Sequence, residues 1–393
     1  MRILLAAGAV GILLVLMLGP SWAAAQTSAE KPAETTPAPA PSKFRSADDG
    51  WLDVSGFLDE KYGFLPIAIP ITEPAVGYGA SVGLMFLSSP LGEARDGFGR
   101  PDISLAGGLG TDNGSWGLML GDIRHWFGDR LETQAGILHL SANLDFRGIG
   151  KDAFLERHPI QYNIEPTGGF ARVKYRLGDS TFWVGLGYAF AVTRVTFNVG
   201  EGTPGLPDIK RETSVGGLTP SFTYDTRDNP FTPLRGTFVE AVLGVFSPAL
   251  GADDDFQRLQ VTAIHYFPLP HNLYLGLRGD GTATFGDTPF YLKPFIALRG
   301  APIMRYQGDE AASVEAELRW QFWRRFSVLS FVGAGAAWND AERVNNTQKI
   351  ITGGFGFRYE IARKYGIHMG LDIAFAPDNA AVYVQVGSAW ARP

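Results

Sequence analysis

Arginines and carboxylates are the residues of this chain whose types and placement suggest a built site. Arg299 and Arg305 lie close together in Ala297 to Asp309, which reads Ala-Leu-Arg-Gly-Ala-Pro-Ile-Met-Arg-Tyr-Gln-Gly-Asp. A guanidinium removed from bulk water is costly unless it is paired, and its planar fork matches a carboxylate. Glu315 and Glu317 share one parity of an alternating run, Val314-x-Ala316-x-Leu318-x-Trp320, and Asp372 shares one parity of another, Ile367-x-Met369-x-Leu371-x-Ile373-x-Phe375. The chemistry on offer is a charged lock between a loop and a wall. The alternative is an exposed loop whose arginines meet water or phosphates.

Other chemistries find less support. Cysteine is absent, which excludes disulfides, thiolate metal sites and a cysteine nucleophile. The six histidines, His125, His139, His158, His265, His271 and His368, show no His-x-x-x-His or Glu-x-x-His spacing, so no metal is expected. His265 with Ser221, Thr223 or Ser247 is the only arrangement that suggests a lipase-like site, and no G-x-S-x-G context accompanies it. Gly353-Gly354-Phe355-Gly356 lies within a strand-like run with no helix after it, which argues against a phosphate loop. Neither an enzyme nor a cofactor is expected. A net charge of −6 gives no reason to expect nucleic acid.

The elements that must position these charges are strands. Glycine is abundant at 49 residues, aromatics reach 12% and charge only 19%, and no long apolar run follows the N-terminus, which suits many short strands rather than membrane helices. From Gly63 onward, alternating segments separated by turn residues follow one another. Phe182-x-Val184-x-Leu186-x-Tyr188-x-Phe190-x-Val192 has glycine and alanine at the positions from Gly185. Bilayers require every backbone polar group to be paired, so such a train reads as a transmembrane antiparallel β-barrel of about sixteen strands. An ionised side chain facing lipid near the midplane costs about 2–4 kcal/mol, which turns Glu315, Glu317 and Arg319 inward. The last strand is expected to run to Trp390.

Connection lengths set the orientation. Short ones, including 127–130, 178–180, 268–271, 323–325 and 362–365, fall after even strands as periplasmic turns should, with 88–101 and 226–235 as the two long exceptions. That places the arginine loop outside. Before the barrel, Arg2, the apolar run Ile3 to Leu18 and Ala23-Ala24-Ala25 predict a cleaved signal peptide over 1–25. Residues 26–50, rich in Ala, Pro, Thr and Ser, read as a disordered spacer, and the barrel domain is expected over 51–393. Residues 51–62 read as a lead-in helix or plug at the periplasmic mouth.

Three motifs carry a family resemblance. Leu298-Arg299-Gly300 followed by Arg305-Tyr306 resembles the inward-folding loop motif of the BamA/TamA-type barrels, the bacterial surface antigen family. Asp225-Thr-Arg-Asp-Asn-Pro-Phe-Thr-Pro-Leu-Arg-Gly236 is similar to its strand-turn signature, and Phe331-Val-Gly-Ala-Gly335 stands where Phe-x-Asp-x-Gly is frequent. Two positions depart from the pattern: Ala301 replaces an aromatic and Gly333 an acidic residue. The resemblance implies a long extracellular loop folded into the lumen, with a lock of Arg299, Gly300, Arg305, Asp372, Glu315 and Glu317. It also implies a register-fixing turn of Asp225, Arg227, Asp228, Asn229, Pro230, Arg235 and Gly236. The implied function is insertion or translocation of proteins at the Gram-negative outer membrane, acting on unfolded clients and contacting lipid and lipopolysaccharide, here without periplasmic POTRA domains. The alternatives are a passive or gated channel for small solutes or lipids, and an adhesive surface antigen.

Overall fold

The computed structural model describes residues 44–46, 48–58, 63–87, 102–149, 155, 157–198, 209–339 and 347–391. The expected signal peptide and most of the expected spacer lie outside them. A short helix, α1 (Ser55–Leu58), precedes β1 (Gly63–Glu73), β2 (Gly77–Leu87), β3 (Ile103–Thr111), β4 (Trp116–Trp126), β5 (Leu131–Phe146), β6 (Ile160–Arg176), β7 (Phe182–Phe197), β8 (Ile209–Leu218) and β9 (Ser221–Asp225). The wall continues through β10 (Gly236–Phe246), β11 (Phe256–Leu269), β12 (Leu273–Gly286), β13 (Glu310–Trp323), β14 (Phe326–Trp338), β15 (Gln348–Ala362), β16 (Ile367–Ala376) and β17 (Asn379–Val386).

These strands form one sheet of 17 strands, every ladder antiparallel. β8 and β9 both pair with β7 on one side and β10 on the other, so they are one wall strand interrupted at Thr219 and Pro220. Proline has no N–H to donate to a ladder. The chain keeps its place regardless, because Thr219 and Gly187 exchange backbone hydrogen bonds of 2.8 and 3.2 Å and Leu243 N–H donates to the Pro220 carbonyl at 3.0 Å. Counting that pair once leaves 17 − 1 = 16 wall strands among the described residues.

Side chains are distributed inside out. Val82, Leu118, Ile137, Val314, Val332 and Ile351 are all more than half exposed, whereas Arg258, Asp280, Glu315, Arg319, Arg358 and Asp372 are buried. A period of two sends alternate residues to opposite faces, and only an apolar surrounding makes this arrangement favourable. The connections after β4, β6, β11, β13 and β15 are short, and those after β5, β7, β10 and β12 are long. Exposed Trp126, Tyr175, Trp320, Phe322 and Trp323 gather toward the short-turn end, as an interfacial girdle does.

Each mouth holds an apolar cluster. At the short-turn end Val54, Ile69, Met85, Phe231, Ile361 and Tyr365 pack together. At the long-loop end Leu144, Tyr162, Ile164, Val195, Tyr291 and Met304 do the same.

One expectation is corrected. β17 ends at Val386, four residues before Trp390. Gly387 takes φ 78°, its N–H donates to the His368 carbonyl at 2.6 Å, and a Cβ there would lie 2.4 Å from the Phe231 carbonyl oxygen. This turn sends Trp390 into the barrel, where it is 3% exposed and its indole N–H meets the Glu315 carboxylate at 3.2 Å. The described residues before Trp51 also pack on the barrel. Arg45 bridges Leu52, and Val54 N–H donates to the Ile361 carbonyl at 2.9 Å.

Arg325, in the β13–β14 turn, anchors this N-terminal segment. Its guanidinium donates to both Asp49 oxygens at 2.7 and 3.0 Å and to Asp53 at 2.9 Å. Hydrogen bonding from Arg325 holds the Asp49 carboxyl below its ordinary value. Burial works to raise Asp53, but the Ser55 hydroxyl and N–H together with Arg325 outweigh it and hold Asp53 low as well. A depressed carboxylate contributes stability that is complete above its unfolded pKa and is lost as pH falls through the folded value. Hydrogen exchange at residues 48–58 is therefore expected to be protected at pH 7 and to lose protection below about pH 4. Arg325→Ala is expected to lose it already at pH 7.

Candidate functional site

The long β12–β13 connection is held as an inward fold by its own backbone. Ile296 N–H donates to the Tyr306 carbonyl at 3.1 Å, Gly308 N–H to the Pro294 carbonyl at 3.1 Å, and Phe295 bridges Gln307. The tip, Leu298 to Ala301, closes with Ala301 N–H on the Leu298 carbonyl at 3.2 Å. Gly300 has φ 89°, a conformation that favours glycine, and its N–H donates to the Tyr383 hydroxyl at 3.0 Å.

Glycines in the β14 wall make room for this loop. A Cβ on Gly333 would sit 2.8 Å from Leu298, and one on Gly335 would sit 2.3 Å from Ile296. Gly333, where the family pattern has an acid, is therefore the seat of Leu298.

Arg299 is buried among three carboxylates. Its Nε donates to Glu315 Oε1 at 2.6 Å and its Nη1 to Asp372 Oδ2 at 2.8 Å, while Nη2 lies 2.8 Å from Glu317 Oε2. The guanidinium plane stacks on Phe331, with Cζ 3.6 Å from the ring centroid. A cation on an aromatic face gains up to about 2 kcal/mol when desolvated. Asp372 is fully buried and takes a second arginine on its other side: Arg358 donates to Oδ1 at 2.6 Å and to Oδ2 at 2.9 Å. Arg278 lies 2.5 Å from Asp280 and 3.8 Å from Glu315, and Arg319 stacks on Tyr274 at 4.9 Å. Four arginines thus stand against Asp280, Glu315, Glu317 and Asp372, and the patch is electrically balanced.

Arg299, Gly300, Glu315, Glu317 and Asp372 come together at this place, and Arg305 does not. Arg305 stays at the rim, where it donates to Asp378 of the β16–β17 turn at 2.8 Å and lies over Tyr306. The signature turn sits at the opposite end of the barrel. Arg227 forks onto Asp225 at 2.9 and 2.8 Å and covers Phe238. Asp228 accepts from Leu234 N–H at 3.0 Å and Arg235 N–H at 3.3 Å. Asn229, ahead of Pro230, accepts from Phe231 and Thr232 N–H and donates to the Tyr365 carbonyl at 2.7 Å. Gly236, at φ 105°, has no room for a Cβ against the Thr226 carbonyl. This turn reaches the lock indirectly, since the Phe231 carbonyl holds Ser388 N–H at 2.6 Å and Trp390 beyond it touches Glu315.

Sequence reasoning missed Arg358, Tyr383, Trp390 and Glu73. Arg358 has a legible signal, since it shares the inward parity of Gly354 and Gly356. Glu73 ends β1 and accepts Ile303 N–H at 3.1 Å, so the loop is tied to the first strand as well as to the last.

Residues 159–296 match the family model of the Omp85 superfamily domain. The fold is similar to that of BamA from Haemophilus ducreyi lacking POTRA domains 1–3, with TM-score 0.55 and 12% identity over 88% of this chain and 80% of that one. It is also similar to CdiB from Escherichia coli, with TM-score 0.56 and 10% identity over 87% of this chain and 66% of that one. CdiB from Acinetobacter baumannii gives TM-score 0.53 and 10% identity over 83% and 60%. No match is found among curated proteins. The chain thus has the all-β antiparallel barrel fold of these structures, and its residues 159–296 match the Omp85 superfamily domain.

Removing one partner of a buried ion network leaves uncompensated charge and costs about 3–5 kcal/mol. Arg299→Ala is expected to lower the unfolding free energy of the refolded barrel by that order in a guanidinium titration. Arg299→Lys should recover only part of it, because an ammonium cannot reproduce the fork or the stacking on Phe331.

Proposed function

We propose that this barrel assists the insertion or translocation of proteins at the outer membrane, with the seam between β1 and β17 as its working edge and the arginine loop as its clasp. The observation that carries this reading is the state of that seam. Every other pair of neighbouring wall strands has a paired register, but none joins β1 to β17 among the described residues; the two strands lie side by side, and the Thr72 hydroxyl donates to the Val382 carbonyl across the gap.

The cause lies in the backbone of β1. Asp112 N–H donates to the Tyr78 carbonyl at 2.7 Å, so even positions of β2 turn their backbone to β3 and odd positions to β1. Those odd positions pair with odd positions of β1, such as Gly79 with Ile71 and Ser81 with Ile69. The even positions of β1 therefore face β17, and two of them are Pro66 and Pro70. An edge that lacks two donors cannot zip into a regular ladder. Such an edge suits transient pairing with an incoming strand.

The loop spans this edge. It holds β1 through Glu73, β17 through Tyr383, and the β16–β17 turn through Asp378. In the proposed function the Arg299 lock keeps the clasp seated while no client is engaged. The channel reading is less favoured, because apolar clusters fill both mouths and the loop occupies the space between them.

The native chain has no cysteine, so Thr72→Cys with Val382→Cys introduces a single reversible cross-link across the seam. In vesicles the wild-type barrel is expected to accelerate folding of a urea-unfolded outer-membrane barrel. The oxidised double variant should lose that acceleration and regain it on reduction. Acceleration that survives the cross-link would remove the seam from the mechanism, and a large, steady single-channel conductance of the wild type would favour the channel.

A further inference from the structure

Far from the lock, the outer wall carries a charged pair where a bilayer-facing surface ordinarily has none. Asp122 and Arg124 share the parity of exposed Leu118, Leu120 and Trp126 on β4, so both point away from the lumen. Register sets Ser104 of β3 beside Asp122, and the three side chains are hydrogen-bonded to one another. The Ser104 hydroxyl donates to Asp122 Oδ1 at 2.6 Å. Arg124 Nε donates to Asp122 Oδ2 at 3.0 Å, and its Nη2 to Asp122 Oδ1 and to Ser104 at 2.9 Å each. The pair lies toward Trp126 and the short 127–130 turn, on the side of the wall that faces the periplasmic leaflet in the orientation read above.

Beside this group the wall is hollow. On β5 and β6 the outward residues next in the register are Ala135 and Ala171, and they leave a trough between Leu120 and Ile137 on one side and Tyr188 and Phe190 on the other. Its volume is about 560 Å³ and Asp122 lines one end.

We propose that this trough holds one zwitterionic phospholipid of the periplasmic leaflet, with a primary-amine headgroup. Its phosphate sits against Arg124, its ammonium donates to Asp122, and an acyl chain lies over Ala135 and Ala171. The argument is charge complementarity. An anion and a cation fixed side by side at the rim of an apolar groove match a molecule that carries the reverse pair at the end of a hydrocarbon chain. An anionic headgroup would leave Asp122 repelled, and a quaternary ammonium has no N–H to offer its carboxylate. The site is independent of whether the barrel moves clients.

The test uses the barrel refolded into vesicles of equal phosphatidylethanolamine, phosphatidylglycerol and phosphatidylcholine, then released in mild detergent and weighed by native mass spectrometry. One phosphatidylethanolamine per chain is expected in excess over the other two. Asp122→Asn with Arg124→Gln should cut that excess about tenfold, the size of one charge-assisted hydrogen bond. Ala135→Leu with Ala171→Leu, which fills the trough and leaves the charges intact, should lower retention of the lipid itself. Both variants alter only outward side chains, and the heat-dependent electrophoretic shift of a closed barrel reports their folding. Equal retention of the three lipids, or retention unchanged in both folded variants, overturns the proposal.

Discussion

A buried guanidinium that must be neutralised dominates this barrel. Arg299 sits inside a wall whose outer face is apolar, and its interaction with Glu315, Glu317 and Asp372 offsets a desolvation that no single carboxylate would cover. The requirement propagates outward. Asp372 in turn needs Arg358, Glu315 takes the indole N–H of Trp390, and Gly333 and Gly335 have to leave the wall bare for the loop to reach its partners. The loop that carries Arg299 then has its position fixed well enough to hold Glu73 on β1 and Tyr383 on β17, between which no ladder forms among the described residues.

The two ends of the barrel are treated differently. At the long-loop end β5, β6 and β7 run to 16, 17 and 16 residues and pack aromatic residues against the loop's Tyr291 and Met304. At the short-turn end the closure comes from chain that is not wall: the N-terminal segment on Arg325, the proline-rich turn around Phe231, and the C-terminal tail. That tail links the signature turn to the lock through Ser388 and Trp390. In the proposed function it is a route by which events at the periplasmic mouth reach the Arg299 network.

The seam and the outer groove follow from one rule applied in two directions. A bilayer tolerates neither unpaired backbone nor lone charge. At β1, Pro66 and Pro70 remove two of the donors that an open edge would otherwise leave unpaired. At β4 the charge is tolerated because Asp122, Arg124 and Ser104 satisfy one another.

Much of this architecture was legible in the residues because a strand has a period of two. Parity alone turned Glu315, Glu317 and Asp372 inward, and connection lengths alone separated the two ends of the barrel. Parity would also have found Arg358. What it could not supply was distance. Arg299 and Arg305 look alike in the sequence, and only the fold of the loop sends one to the lumen and leaves the other on Asp378 at the rim. Trp390 reads as the aromatic that ends a closing strand, yet a left-handed glycine at 387 and a carboxylate 75 positions away in the chain draw it inside. Local pattern determined which face each residue takes, since that depends on backbone geometry alone. Which charges meet was decided by the closure of the wall and the path of the loop, because pairing depends on residues far apart in sequence being brought within hydrogen-bonding distance.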